Sequence, residues 1–288
     1  MNSLGFNKKE NDTKVIVAMS GGVDSSVAAV KLKMEGYDVT GVTLRLYNQP
    51  NSSKSKSCCA GIDINDAKKV AEQYDFPHKI FDYQDKFFNG VISNFVDSYA
   101  NGETPVPCIQ CNQTVKFSDL LEESKNLHAD ALITGHYAIR KGGLKGSKLF
   151  KAKDKTKDQS YFLFATLQDQ LDYVRFPLGN YLKSEIRQMA NDYKLTVSDK
   201  PDSQDICFVT SDSYRDLINK LQPEINKEGN IFDIHGNKIG VHKGIANYTV
   251  GQRKGVGVGG QDQPLYVKEV NKDQNYICLL YTSDAADE

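Results

Sequence analysis

At 288 residues the chain is long enough for two domains, each able to bury a core. Its 39% hydrophobic and 25% charged residues read as an ordinary globular protein, and a formal net charge of −1 excludes a polycation, so any nucleic-acid contact must come from a local basic patch. No apolar run reaches the roughly 18 residues of a membrane span and residues 1–14 lack the apolar core of a signal peptide, which predicts a cytoplasmic protein making no membrane contact.

Residues 14–19 (KVIVAM) are a short apolar run rich in β-branched side chains and predict a buried strand. Residues 20–25 make a Gly-rich turn. Residues 26–35 place Val27, Val30, Leu32 and Met34 at helical spacing and stop at Gly36, a residue suited to ending a helix. A second strand follows over 37–46. Residues 48–57, polar and rich in Ser and Lys, predict a loop. A helix over 63–74, a third strand over 79–81, a helix over 85–99 with Phe87, Phe88, Val91, Ile92, Phe95 and Val96 on its apolar side, and a fourth strand over 131–134 continue the alternation. That pattern predicts an α/β fold with a doubly wound parallel sheet. After about residue 200 the pattern becomes all-β, with hairpins expected around His235-Gly236-Asn237 and Asn271-Lys272-Asp273. The expected organisation is an α/β domain over 1–204, a linker over 205–228, a small and incomplete β domain over 229–277, and a tail over 278–288. The alternation breaks at Cys278, and the tail resembles the translation of a sequencing adapter, so it is expected to be non-native and the second domain cut short.

The sharpest local signal is Ser20-Gly21-Gly22-Val23-Asp24-Ser25-Ser26, set between the first strand and the first helix. Glycines allow a tight turn and close approach to an anion, and the helix N-terminus offers free N–H groups and a positive dipole end. Ser20, Ser25 and Ser26 add hydroxyls, and Asp24 is placed to hold Mg²⁺ on bound phosphates. The loop lacks the Gly-Lys-Ser/Thr ending of a Walker motif. It resembles the pyrophosphate loop of the N-type ATP pyrophosphatases, which cleave ATP to AMP and pyrophosphate while adenylating a substrate oxygen.

Six cysteines are present: Cys58, Cys59, Cys108, Cys111, Cys207 and Cys278. In a reducing compartment they are expected to be catalytic, metal-binding or buried. Cys108-Ile109-Gln110-Cys111 is a CxxC that suits a redox pair or half a zinc site, and no second CxxC completes the latter. Residues 104–107 (TPVP) predict a rigid extended approach, with Cys111 at the start of a helix opening at about Thr114. A thiol in that place is favoured as thiolate.

With these residues in view the chain resembles the tRNA-specific 2-thiouridylases through about Ile277. The matching blocks are the pyrophosphate loop, residues 104–117 (TPVPCIQCNQTVKF), 133–138 (ITGHYA), 157–164 (KDQSYFLF), 201–209 (PDSQDICFV) and 242–255 (HKGIANYTVGQRKG). The resemblance implies ATP-dependent 2-thiolation of the wobble uridine, U34, of tRNA. By the same resemblance Ala18, Met19, Ser20, Gly21, Gly22, Val23, Asp24, Ser25, Leu44 and Gly135 contact ATP. Cys111 is the nucleophile, Cys207 carries the persulfide, and the two end as a Cys111–Cys207 disulfide that a reductant reopens. Val106, Pro107 and Cys108 match the segment that meets the flipped base, where family members carry Asn-Pro-Asp. His136 and the segment Lys157, Asp158 and Gln159 match tRNA-contacting positions. The implied partners are tRNA and a persulfide donor protein, a cysteine desulfurase or sulfur relay protein. Cys108, Cys111 and Cys207 also admit a second reading, as ligands of an iron–sulfur cluster with one open iron.

Residues 140–158 hold one Arg, seven Lys and two Asp, a local net +6 suited to RNA phosphates. Cys58 and Cys59 are assigned to packing, and Tyr161, Phe162 and Phe164 to the core. Two other functions use the same loop: ATP-driven amide synthesis, and nucleotide or tRNA binding without catalysis. The first gives no reason for Cys111 and Cys207. The second leaves an intact loop and both cysteines unused.

Overall fold

The computed structural model describes residues 1–47, 61–202, 206–209, 214–259 and 264–281. Cys58, Cys59 and residues 282–288 lie outside them. The chain forms two compact units, one of residues 1–91 and 108–208 and one of residues 92–107 and 209–288.

The first unit is built on five parallel strands: β1 (Lys14–Ala18), β2 (Asp38–Arg45), β3 (His78–Asp82), β4 (Ala131–Ile133) and β7 (Val174–Arg175), in the order β3-β2-β1-β4-β7. Helix α1 (Val23–Met34) links β1 to β2, and α2 (Gly61–Gln73) precedes β3. The strand order reverses at β1 and β4, and in such sheets ligands bind beyond the carboxyl ends of the strands at the reversal. Val15, Ile16 and Val17 of β1 are fully buried, as are Val27, Ala28, Ala29, Val30 and Leu32 of α1. A helix buried nearly all round needs cover on more than one face. The cover comes from the sheet and from α8 (Lys183–Asp192), whose Ile186 and Ala190 join the same core.

Two helical runs differ from the sequence expectation in detail. The run predicted over 85–99 is α3 (Gln84–Phe87), a π-helical segment (Phe88–Ile92) and α4 (Ser93–Ala100). The helix expected to open at Thr114 starts seven residues earlier, as α5 (Pro107–Cys111), and continues through a π segment (Asn112–Asp119) into α6 (Leu120–Asn126). Proline at the first helical position is favourable because the N–H it lacks has no partner there anyway. The basic stretch is an antiparallel hairpin of β5 (Ala138–Lys141) and β6 (Lys148–Lys151), followed by a short 3-10 turn (Ser160–Leu163) and α7 (Gln168–Tyr173).

The second unit carries a four-stranded sheet, β10-β11-β8-β9. It is made of β8 (Gly229–Asp233), β9 (Lys238–His242), β10 (Tyr266–Asn271) and β11 (Tyr276–Leu280). The two antiparallel pairs are the two expected hairpins, joined by a parallel β11–β8 pairing. Strand β11 runs to Leu280, three residues past the point where the alternation reading ends it. Ile277 and Leu279 both point into the core and are fully buried, so the alternation survives the apolar run. Helix α9 (Tyr214–Leu221) packs beside α4, with the Tyr99 and Tyr214 rings stacked at 4.7 Å.

Candidate nucleotide and sulfur-transfer site

The first turn after β1 holds the predicted phosphate loop. Gly21 has φ +71°, a conformation that side chains with a Cβ disfavour. A Cβ there would also lie 2.1 Å from the Asp63 carbonyl oxygen. Gly22 caps α1 in an extended conformation and offers no side-chain bond to the first-turn amides. Those amides keep their positive end open to an anion. The Ser25 hydroxyl accepts from the Ser20 N–H at 3.1 Å and meets the Ser20 hydroxyl at 3.2 Å, and Ser26 donates to the Gly22 carbonyl at 2.8 Å. Ala18 ends β1, while Met19 and Val23 are buried on either side of the turn. Gly135, just past β4, seats against the start of α1: a Cβ would come within 3.0 Å of the Ser25 nitrogen. Leu44 is buried near the end of β2.

Around this loop lies a charge network with several members that the sequence did not single out. Lys183, at the start of α8, donates to both Asp24 carboxylate oxygens at 2.7 and 2.8 Å and pairs with Asp202 at 3.0 Å. Tyr137 donates its hydroxyl to Asp24 at 2.8 Å. Burial and the Asp24 charge raise the Tyr137 pKa, which keeps it a donor. Asp202 also takes Lys157 at 2.9 Å and Arg187 at 2.7 Å. Burial pushes the Asp202 carboxyl up, but hydrogen bonds from Lys157 and Lys183 prevail and hold it down at about 2. Lys200 donates to the Gly21 carbonyl at 2.9 Å and to Asp66 at 2.9 Å, and pairs with Asp63. The signal for α8 was present as Ile186, Met189 and Ala190 at helical spacing, with Glu185 in the first turn.

Asp24 therefore meets a lysine and a tyrosine. Among the described residues no three His, Cys, Asp or Glu side chains gather to hold a metal. The donor set at Asp24 does not fit a resident Mg²⁺, and Cys108, Cys111 and Cys207 do not converge as iron ligands.

The four described cysteines are free thiols: Cys108 exposed, Cys111 buried, Cys207 and Cys278 intermediate. Cys111 closes the first helical turn of α5 instead of opening a helix, and Cys108 takes the N-terminal place. Cys111 therefore lacks the helix-N-terminal position expected to favour its thiolate. Burial pushes the Cys111 pKa up, with Lys116 opposing and Cys108 adding to the rise. Asn112, beside it, donates to the Phe162 carbonyl at 2.9 Å and ties this helix to the 3-10 turn. Cys207 sits in a turn whose carbonyl accepts the Tyr47 hydroxyl at 2.6 Å, and Phe208 packs edge-on against Phe87.

The positions matched to tRNA contacts divide. Val106 and Cys108 are exposed and Pro107 is buried. Asp158 accepts from the Ala152 N–H and the Ser160 hydroxyl, both at 2.7 Å, and Gln159 accepts the Tyr137 N–H at 2.9 Å. With Lys157 on Asp202, this segment braces Tyr137 and the charge network. His136 lies edge-on to Phe117 and Phe176 and contacts the Thr134 hydroxyl at 2.9 Å. Burial, helped by Lys116, depresses its pKa to about 3. Lys141, Lys145, Lys148, Lys151, Lys153 and Lys155 are all exposed. The aromatic run does not enter the core as expected: Tyr161 and Phe164 are 64% and 67% exposed, and only Leu163 between them is buried. A 3-10 turn brings round every third residue, so one inward side chain leaves its neighbours facing outward.

Comparison with known proteins agrees with this architecture. Residues 13–211 match the family model described as the tRNA methyl transferase HUP domain, and residues 216–280 match the tRNA methyl transferase PRC-barrel domain. The chain is 53% identical to the tRNA-specific 2-thiouridylase MnmA of Dinoroseobacter shibae over 97% of its own length and 73% of that protein. It is 54% identical to the protein of the same name from a Jannaschia species, over 97% of this chain and 74% of that one. With half its residues identical across both domains, the chain belongs to the tRNA-specific 2-thiouridylase family.

Proposed function

We propose that the chain thiolates the wobble uridine, U34, of tRNA at C2, with ATP activating the oxygen that leaves. The observation that carries this reading is the open α1 N-terminus at the strand reversal, flanked by the Lys183–Asp24 pair. Ala18, Met19, Ser20, Gly21, Gly22, Val23, Asp24 and Ser25 cradle the phosphates, and Leu44 and Gly135 border the rest of the nucleotide. A helix N-terminus suits a developing pyrophosphate charge. Mg²⁺ would arrive with the phosphates of ATP as part of the substrate, because Asp24 is already held by Lys183 and Tyr137.

Uridine O2 is a poor leaving group. Its attack on the α-phosphorus of ATP expels pyrophosphate and leaves O2 as an AMP ester. The terminal sulfur of a Cys207 persulfide then adds to C2, and AMP departs with the original oxygen. The Cys111 thiolate attacks the Cys207 sulfur, which frees the 2-thio group and closes a Cys111–Cys207 disulfide for an external thiol to reduce. Burial of Cys111 disfavours its thiolate. Val106, Pro107, Cys108 and His136 face the flipped base in this reading. The exposed lysines of the β5–β6 hairpin meet RNA phosphates, with Lys157, Asp158 and Gln159 bracing that surface from behind. The persulfide comes from a cysteine desulfurase or sulfur relay protein.

Mass spectrometry of tRNA nucleosides, after incubation with ATP, Mg²⁺ and a persulfide donor, tests the reading. Wild type is expected to yield 2-thiouridine, and Cys111→Ser and Cys207→Ser to yield none while still binding ATP. Undiminished product from Cys207→Ser would remove the persulfide assignment.

A further inference from the structure

We propose that Lys200 is a positioning residue of the nucleotide site, holding the phosphate loop in its bent form and offsetting half the charge of two carboxylates beside it. The proposal rests on the reading of residues 18–25 as the ATP phosphate cradle. Lys200 lies far from the loop in sequence and belongs to none of the loop's own elements. Its ammonium group has three N–H donors, and three acceptors meet it: the Gly21 carbonyl at 2.9 Å, Asp66 at 2.9 Å, and Asp63. With all three donors engaged it is unavailable to a phosphate, which makes it a support for the loop and not a catalytic residue.

The geometry gives the support two parts. The first is shape. Gly21 is at φ +71° and sits against the Asp63 backbone with no room for a Cβ. The Gly21 carbonyl is received by Lys200, the same ammonium that bonds Asp63 and Asp66 of α2, so one side chain ties the bent turn to that helix. The second part is charge. Asp63 is 6% exposed, and Asp66 lies one turn along the same helix. Two carboxylates at the rim of a triphosphate site repel it, and Lys200 halves that charge. Lys200 is itself held in place. Arg187 donates to the Ser198 and Lys200 carbonyls at 2.9 and 3.1 Å and to the Asp202 carboxylate at 2.7 Å. The strap over 198–202 thus joins the loop to α8 and to the Lys183–Asp24 pair.

The test compares ATP binding by calorimetry and steady-state KM and kcat for wild type, Lys200→Met, and Lys200→Met combined with Asp66→Asn. Lys200→Met is expected to weaken ATP binding and raise the ATP KM by about tenfold or more, on the scale of a lost charge at a focused site. Its kcat at saturating ATP should fall less. Asp66→Asn in that background removes one repelling charge and should recover part of the affinity, which a purely structural role for Lys200 does not predict. Thermal melting of each variant separates loss of fold from loss of the site. If Lys200→Met does not fold, Lys200→Gln, which keeps a donor without the charge, is read against Lys200→Gln with Asp66→Asn in the same way. Wild-type affinity and KM in the uncharged variant, or no recovery on adding Asp66→Asn, would overturn the proposal. Failure of wild type to bind ATP would instead overturn the reading on which it rests.

Discussion

The two units use their polar residues in opposite ways. In the first, Asp24, Lys183, Asp202, Lys157 and Arg187 form one connected network, and Lys200, Asp63 and Asp66 another, both beside the loop after β1. In the second, no ion-pair network of this kind is formed among the described residues, and polar groups make single hydrogen bonds, some between elements, as from Gln222 to Asp97 at 2.9 Å, and some within turns. Asp233, for example, accepts the His235 and Asn237 N–H groups at 2.9 and 2.8 Å and fixes the β8–β9 hairpin, while eight apolar residues from Ile231 to Leu279 make a small core. Converging charge is costly to bury without a purpose, and the contrast agrees with the proposal that the chemistry belongs to the α/β unit.

A pair of glycines gives the strongest way to break this contrast. Gly21 and Gly236 share a positive φ, +71° and +82°. A Cβ at Gly21 runs into Asp63, whereas one at Gly236 meets nothing within 4 Å. Gly21→Ala is expected to lower ATP affinity by about 100-fold or more, since it distorts the amides that would bind phosphate. Gly236→Ala should cost about 1–2 kcal/mol of conformational strain and leave ATP binding unchanged. Calorimetric titration and urea melts of both variants check this. Equal ATP affinities for the two would erase the distinction.

A core truncation comes next. Leu279→Ala removes a fully buried side chain of β11 and should destabilise the β unit by about 2–5 kcal/mol. The unfolding curve should then separate into two transitions, with ATP shifting only that of the α/β unit. A single transition that still moves with ATP would mean the units unfold together.

Much of this was legible in the sequence. Strands β1 to β4 and both hairpins of the second unit follow from apolar period and turn residues, and the phosphate loop follows from its glycines between strand and helix. The networks were not legible, because Lys183, Asp202 and Lys200 are ordinary surface-type residues until the fold brings them to Asp24 and Gly21. The aromatic run shows the opposite failure. Tyr161, Phe162 and Phe164 look like core by composition, but a 3-10 turn exposes two of them. Cys111 was misplaced because the helix starts at Pro107, a residue more readily taken as a helix breaker than as an N-terminal one.

The smallest expected effect concerns acid. Burial, with Lys116, places the His136 pKa at about 3, below its ordinary value near 6.5. The unfolded chain binds that proton first, so this contribution is intact above about pH 6.5 and is lost as pH falls toward 3. His242 in the second unit is also shifted down by burial, against the Asn275 carbonyl, and its contribution has the same sign. Urea melts at pH 7.0 and 5.5 should differ by about 1 kcal/mol from His136, and His136→Gln should flatten that difference. An unchanged pH slope in His136→Gln would mean the histidine is not held neutral by the fold.

Activation by ATP of the uridine oxygen that sulfur replaces, as proposed above, is tested most directly by the fate of that oxygen. The full chain, with ATP, Mg²⁺ and a persulfide donor, is given tRNA labelled with ¹⁸O at the C2 oxygen of its uridines. Mass spectrometry then follows the label alongside formation of 2-thiouridine. Adenylation predicts one labelled oxygen in AMP for each 2-thiouridine formed. Label released to water, with unlabelled AMP, would contradict it.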